Sequence, residues 1–191
     1  MEATGHFIFE LFKIAVLSGI YAWLLLLVFK VFAKPEGHIS RLTSNKLKFW
    51  KATAFKIACV LLVYMLTPWG NHGFGDSARI PIGHFKAVTN VNWTPYAYLK
   101  GVETTDGMPI VTTLFTVAGH KVLGNLNSDF YSYKNNYFVY DLSSGKLREF
   151  ASEDAFNIYS SQNQLPQSGS LKTFSKNYKT YWHGWRLWLL P

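Results

Sequence analysis

Two long apolar runs open the chain, and a series of short alternating segments follows them. Residues 7–33 read FIFELFKIAVLSGIYAWLLLLVFKVFA, without a charge from Ile14 to Phe29. About 20 apolar residues span a bilayer core. This run reaches that length when Lys13 or Lys30 extends its stem toward the headgroups. The second uncharged run, Ile57 to Trp69, has 13 residues, about 20 Å as a helix. It crosses only if Lys51 and Lys56 also snorkel, which places Trp50 and Trp69 at the two interfaces, where Trp is favoured. The pattern predicts spans over about 9–33 and 50–69, joined by a loop at 34–49. Pro35 and Gly37 stop the first helix, and Pro68 and Gly70 the second. An interfacial second helix that never crosses is the alternative.

Beyond residue 77 the period changes to two. Candidate strands are 78–82, 85–91, 96–100, 110–117, 129–133, 137–142 and 146–150, separated by turn material such as Asp106-Gly107-Met108-Pro109 and Ser143-Ser144-Gly145. In the 135–150 hairpin, Phe138, Tyr140 and Leu142 share one face, and Tyr137, Val139 and Asp141 the other. The strands resemble one propeller blade, but a single blade cannot bury its faces alone, so the pattern predicts one curled antiparallel sheet. Ser152 followed by Glu153 and Asp154 is an N-cap with acids at the positive end of a helix dipole, predicting a helix to about Gln162. In the last segment Leu171, Phe174, Tyr178, Tyr181, Trp182, Trp185 and Leu189 form one helical stripe, and Lys172, Lys176, Lys179, His183 and Arg186 another. The aromatic stripe suits docking on the sheet, or else a membrane surface. Gly184 weakens that helix by about 1 kcal/mol relative to Ala. The expected fold is α+β: a two-helix transmembrane hairpin (residues 1–70), then a small antiparallel β-sheet domain with one or two C-terminal helices (residues 71–191).

Charge adds direction. Net charge is +8, and residues 1–70 supply +5 of it, from eight basic and three acidic side chains. The basic residues flanking the membrane are Lys34, Arg41, Lys46, Lys48, Lys51 and Lys56, opposed in that stretch by Glu36 alone. Short loops rich in Lys and Arg stay in the cytoplasm, which predicts a multi-pass inner-membrane protein with both termini periplasmic. Nucleic-acid binding needs basic residues gathered on a folded face; here they flank the membrane, so no nucleic-acid partner is expected. Cys59 is the only cysteine, so no intramolecular disulfide can form, as is ordinary in a bacterial periplasm. The acidic start, with Glu2 and Glu10, does not suit a signal peptide.

Candidate chemistry is sparse. His72, His84, His120 and His183 stand in no metal-binding spacing, and no phosphate loop or dinucleotide fingerprint occurs. No catalytic residue, cofactor or metal is expected. Gly75-Asp76-Ser77 is similar to the nucleophile block of some lipid esterases, but the Asp-x-x-His those enzymes need is missing. The enzymatic alternative is an envelope hydrolase acting on lipid or glycan with Asp76, Ser77 and one of His84 or His120. The main expectation is a non-enzymatic binding or assembly module whose partners are the bilayer and another envelope protein. Tyr133, Tyr137, Tyr140, Trp182, Trp185 and Trp188 are its candidate interaction residues, since Tyr and Trp carry interface hot spots.

A C-terminal fusion tests the orientation: alkaline phosphatase is expected to be active there, and a fluorescent protein dark. Fluorescence without phosphatase activity would reverse the topology.

Overall fold

Both apolar runs are helical. The computed structural model describes residues 2–32, 45–67, 69–70, 72–73, 77–127 and 129–191. Lys34, Arg41, Asp76 and most of the predicted 34–49 loop lie outside them. The chain divides into two compact units, residues 1–71 with 184–191, and residues 72–183.

In the first unit, α1 runs Glu2–Phe32 and α2 runs Lys46–Leu66. Both are long and apolar enough to cross a membrane, over Phe7–Phe32 and Lys46–Leu66. The second is longer at its start than the sequence suggested, because Asn45 caps it by accepting a bond from the Lys48 N–H at 3.1 Å. It stops at Leu66: Thr67 is extended, as a residue before proline prefers. Ile14, Leu17 and Ala22 of α1 and Leu61 and Met65 of α2 are buried. Trp50 donates its indole N–H to the Gly19 carbonyl at 3.0 Å, so its ring is half-buried against α1. Lys13 and Glu10, three apart, approach to 3.8 Å.

The second unit has two antiparallel sheets, not one. Sheet one orders β1 (Ser77–Gly83), β2 (Lys86–Val91), β3 (Ala97–Glu103) and β4 (Pro109–Thr112) as a meander. Sheet two has the order β8-β7-β6-β5-β9, with β5 Leu114–Ala118, β6 Lys121–Asn125, β7 Tyr137–Asp141, β8 Leu147–Phe150 and β9 Lys172–Thr173. The predicted strand 110–117 is therefore two strands. Ile110 and Phe115 both enter the main core, yet they are five apart, and a straight strand would point them to opposite faces. A break at Thr113 resolves the conflict. Asn125 holds it: its Oδ1 accepts from the N–H groups of Thr113 (3.1 Å) and Leu114 (2.8 Å), and its Nδ2 donates to Thr113 Oγ1 at 2.7 Å.

The two sheets share one core. Ile80, Val88, Leu99 and Ile110 of sheet one meet Phe115, Val122, Phe138 and Tyr140 of sheet two. Strand β6 went unread in the sequence because it is buried on both faces: Val122 joins this core, and Leu123 packs on the other side of the sheet. It therefore shows a continuous apolar run instead of alternation. Gly124 follows because a Cβ there would lie 2.8 Å from the Phe138 ring and 2.9 Å from the Leu114 carbonyl oxygen. Residues 129–133 are not a strand. They form a loop tied back by Tyr96, whose hydroxyl lies 3.2 Å from Asp129.

The helix α3, Glu153–Gln162, has the predicted Ser152 cap and lays Phe156 over Leu123 and Val139 on the outer face of sheet two. The last segment, expected to run as one continuous helical stripe, is interrupted. Residues 172–173 pair with β5, α4 spans Phe174–Trp182, and α5 spans only Trp185–Leu189. Gly184 separates the last two at φ 71°, ψ −136°, a conformation that side-chain-bearing residues avoid.

Replacing Asn125 with Ala is expected to cost roughly 1–3 kcal/mol, because two backbone N–H groups lose their acceptor. Denaturant unfolding of the full chain in detergent, followed by Trp fluorescence, checks this. Asn125→Asp keeps the acceptor and should cost less.

Candidate functional site

Among the described residues, the hydrolase candidates Ser77, His84 and His120 do not converge. Ser77 opens β1 and His84 follows its far end; six residues of strand put roughly 20 Å between them. His84 meets His120 from a hairpin of the other sheet, edge to face with centroids 5.6 Å apart, so His120 is equally remote from Ser77. A nucleophile and its base must lie within hydrogen-bond reach. Among the described residues no group of three His, Cys, Asp or Glu side chains could hold a metal ion. His72 lies against Trp182 with centroids 3.8 Å apart, and His183 is exposed.

The six aromatic candidates have four different environments. Tyr133 is half-buried and clamps the edge of sheet one: its hydroxyl donates to Pro109 O at 2.5 Å and accepts from the Val111 N–H at 3.2 Å. Tyr137 stacks on Phe156 at 5.0 Å. Tyr140 and Trp182 are buried, and the Trp182 indole donates to Arg79 O at 2.8 Å; these two rings hold the unit together and present no surface. Trp185 and Trp188 are exposed, on α5 with the helical unit. Of the membrane-flanking cations, Lys46, Lys48, Lys51 and Lys56 are exposed on α2.

A different cluster emerges on the outer face of sheet two, beside α3. Alternation sends Val139 and Asp141 of β7 to this face. Pairing then brings Lys121 opposite Asp141 and Arg148 opposite Val139. Lys146 and Ser144 join from the β7–β8 turn. Together with Tyr159 of α3 they line a concave basin of about 270 Å³. The Arg148 guanidinium lies 4.8 Å from the Tyr159 ring centroid. Tyr159 is braced by Phe150 at 5.1 Å, which meets the fully buried Phe156 at 5.7 Å. The arginine thus rests on a row of packed rings, which restricts its rotamers and favours its charge.

Among the described residues, Asp141 is the one carboxylate lining the basin, and it accepts from neutral donors. Asp141 Oδ1 accepts from Ser143 N–H (2.9 Å), Ser143 Oγ (2.6 Å) and Ser144 N–H (3.0 Å). The Ser143 hydroxyl bond foremost, with the two backbone N–H groups, holds this carboxyl well below the usual carboxylate range. Glu149, on the opposite face of β8 from Arg148, takes the Thr105 N–H at 2.7 Å and the Asn135 amide at 2.8 Å. Glu153 accepts from the Ser168 hydroxyl at 2.6 Å. Among the described residues, Lys121, Lys146 and Arg148 make no ion pair. With three cations against the one carboxylate of Asp141, the basin is net positive.

The sequence reading missed this cluster. Lys146 and Arg148 are two apart, a period-two signal, but Lys121 reaches them only through a strand that reads as non-strand.

Because the folded pKa of Asp141 is depressed, its contribution is present above about pH 4, the ordinary Asp value, and is lost as pH falls through the lower folded value. Ser143→Ala should move that carboxyl back toward its ordinary range, read by carboxyl carbon NMR titration; an unchanged pKa would show that the hydroxyl is not the cause. Compared with known families, curated proteins and solved structures, the chain has no match, so its chemistry has to be read from its own side chains.

Proposed function

We propose that the chain is an inner-membrane-anchored, non-enzymatic binding or assembly module. Its two long helices cross the bilayer, the basic loop between them stays in the cytoplasm, and the β unit works in the periplasm on another envelope protein. The observation that carries the reading is the uncovered apolar surface of α1 and α2. Phe12 is 67% exposed, Val31 78% and Phe55 70%, all on helices of spanning length. A soluble protein seldom leaves so large a contiguous apolar area in water, whereas lipid tails cover it without cost. The β unit, by contrast, closes a core of its own from two sheets. An anchor joined to a separately cored unit suits recognition at the membrane. The dispersal of Ser77 and the histidines supports binding over hydrolysis.

Alkaline carbonate extraction is expected to leave the protein in the membrane pellet. Purification in mild detergent should bring down an envelope protein that is lost when residues 71–191 are deleted. A chain that is extracted as soluble, or purifies alone with and without that deletion, would sink the proposal.

A further inference from the structure

We propose that the basin on the outer face of sheet two is a binding site for a phosphate monoester group, held by Arg148, Lys121, Lys146 and the Ser144 hydroxyl. This deepens the reading of the chain as a binding module and rests on it. Three lines lead to this ligand class. The lining carries three cations, Lys121, Lys146 and Arg148, against one carboxylate, Asp141, so the basin is net positive even with Asp141 ionised. A net positive cluster attracts an anion from solution, and a concave wall strengthens the field.

Donor geometry narrows the anion. Arg148, lying against the Tyr159 ring, keeps the edges of its planar fork available for two oxygens at once. A carboxylate would be satisfied by that fork alone. Two lysines and a hydroxyl beside it match further oxygens of a tetrahedral group with about two negative charges. Size narrows it again. A basin of about 270 Å³ takes a phosphorylated small group, not a folded partner, and Tyr159, Val139 and Leu147 give its carbon-bearing part an apolar wall.

The phosphate monoester can sit on a soluble molecule or on a lipid headgroup such as phosphatidic acid, and the test separates the two. Full-length protein in detergent is titrated with glycerol 3-phosphate by calorimetry. In parallel, protein in nanodiscs with and without phosphatidic acid is followed by amide NMR shifts of residues 121, 144, 146 and 148. Saturable binding is expected in at least one arm, with competition by glycerol 3-phosphate if the source is the lipid. Lys121→Gln and Arg148→Lys should each weaken it about tenfold or more, the second because it keeps charge but loses the fork. Lys134→Gln, a charge change outside the basin, should leave affinity unchanged. Each variant is checked for an unaltered melting temperature; as these side chains are partly or fully exposed, folding should survive. Two results overturn the proposal: no saturable binding in either arm up to about 10 mM, the weakest affinity of interest, or binding that Arg148→Lys and Lys121→Gln leave intact. Carbonate extraction reads the anchor separately. A chain that washes off the membrane yet binds phosphate through Arg148 would sink the anchor and keep the basin.

Discussion

Asn125 stands where the chain leaves one sheet for the other. At Thr113 the backbone stops pairing with β3 and starts pairing with β6, and two consecutive N–H groups turn away from any strand ladder. Buried or half-buried backbone donors need acceptors, and the Asn125 carboxamide supplies one for both, 3.1 and 2.8 Å away. The Thr112 hydroxyl lies 2.8 Å from Leu114 O and 2.9 Å from Asn125 Oδ1, which ties both sides of the break. The break shifts the side-chain alternation by one residue. Phe115, not Leu114, then faces the core, and Leu114 is left 36% exposed. Sheet two can turn its inner face onto sheet one only because of that shift.

The rest of the β unit follows from the turn. With one face of sheet two closed by sheet one, its other face is open for α3, and Phe156 fills the place beside Leu123 and Val139. The helix has ten residues, about 15 Å, and the basin opens on that same sheet face, where β6, β7 and β8 end in turns. Charged side chains settle there because that is the wet part of an otherwise covered sheet. The strand registers then decide its sign: they gather Lys121, Lys146 and Arg148 there with Asp141 as the one carboxylate of the lining.

The helical unit obeys a different constraint. Its two helices bury only Glu10, Ile14, Leu17, Ser18, Ala22, Leu61 and Met65 among their described residues, and leave most of their apolar surface outside. The Trp50 indole, bonded to the Gly19 carbonyl at 3.0 Å, ties the two helices together at that depth.

The sequence by itself determined the elements whose signals are local. The presence of two long helices came from the apolar runs, α3 from its Ser152 cap, the β7 alternation from period two, and the hairpin turns from Gly, Asn and Pro. These depend on neighbours a few residues away. It did not determine the division into two sheets, since residues 110–117 read as one strand and only a core that needs both Ile110 and Phe115 breaks it. Strand β6 was hidden because burial on both faces erases alternation, and the C-terminal helix was read as continuous because its stripe passes through Gly184 without losing phase. The aromatic candidates show the same divide. Tyr140 and Trp182 have the composition of an interface, but only the fold shows their rings enclosed. The basin belongs wholly to the tertiary structure, for Lys121 and Arg148 are far apart in sequence and meet only through the registers of β6 on β7 and β7 on β8.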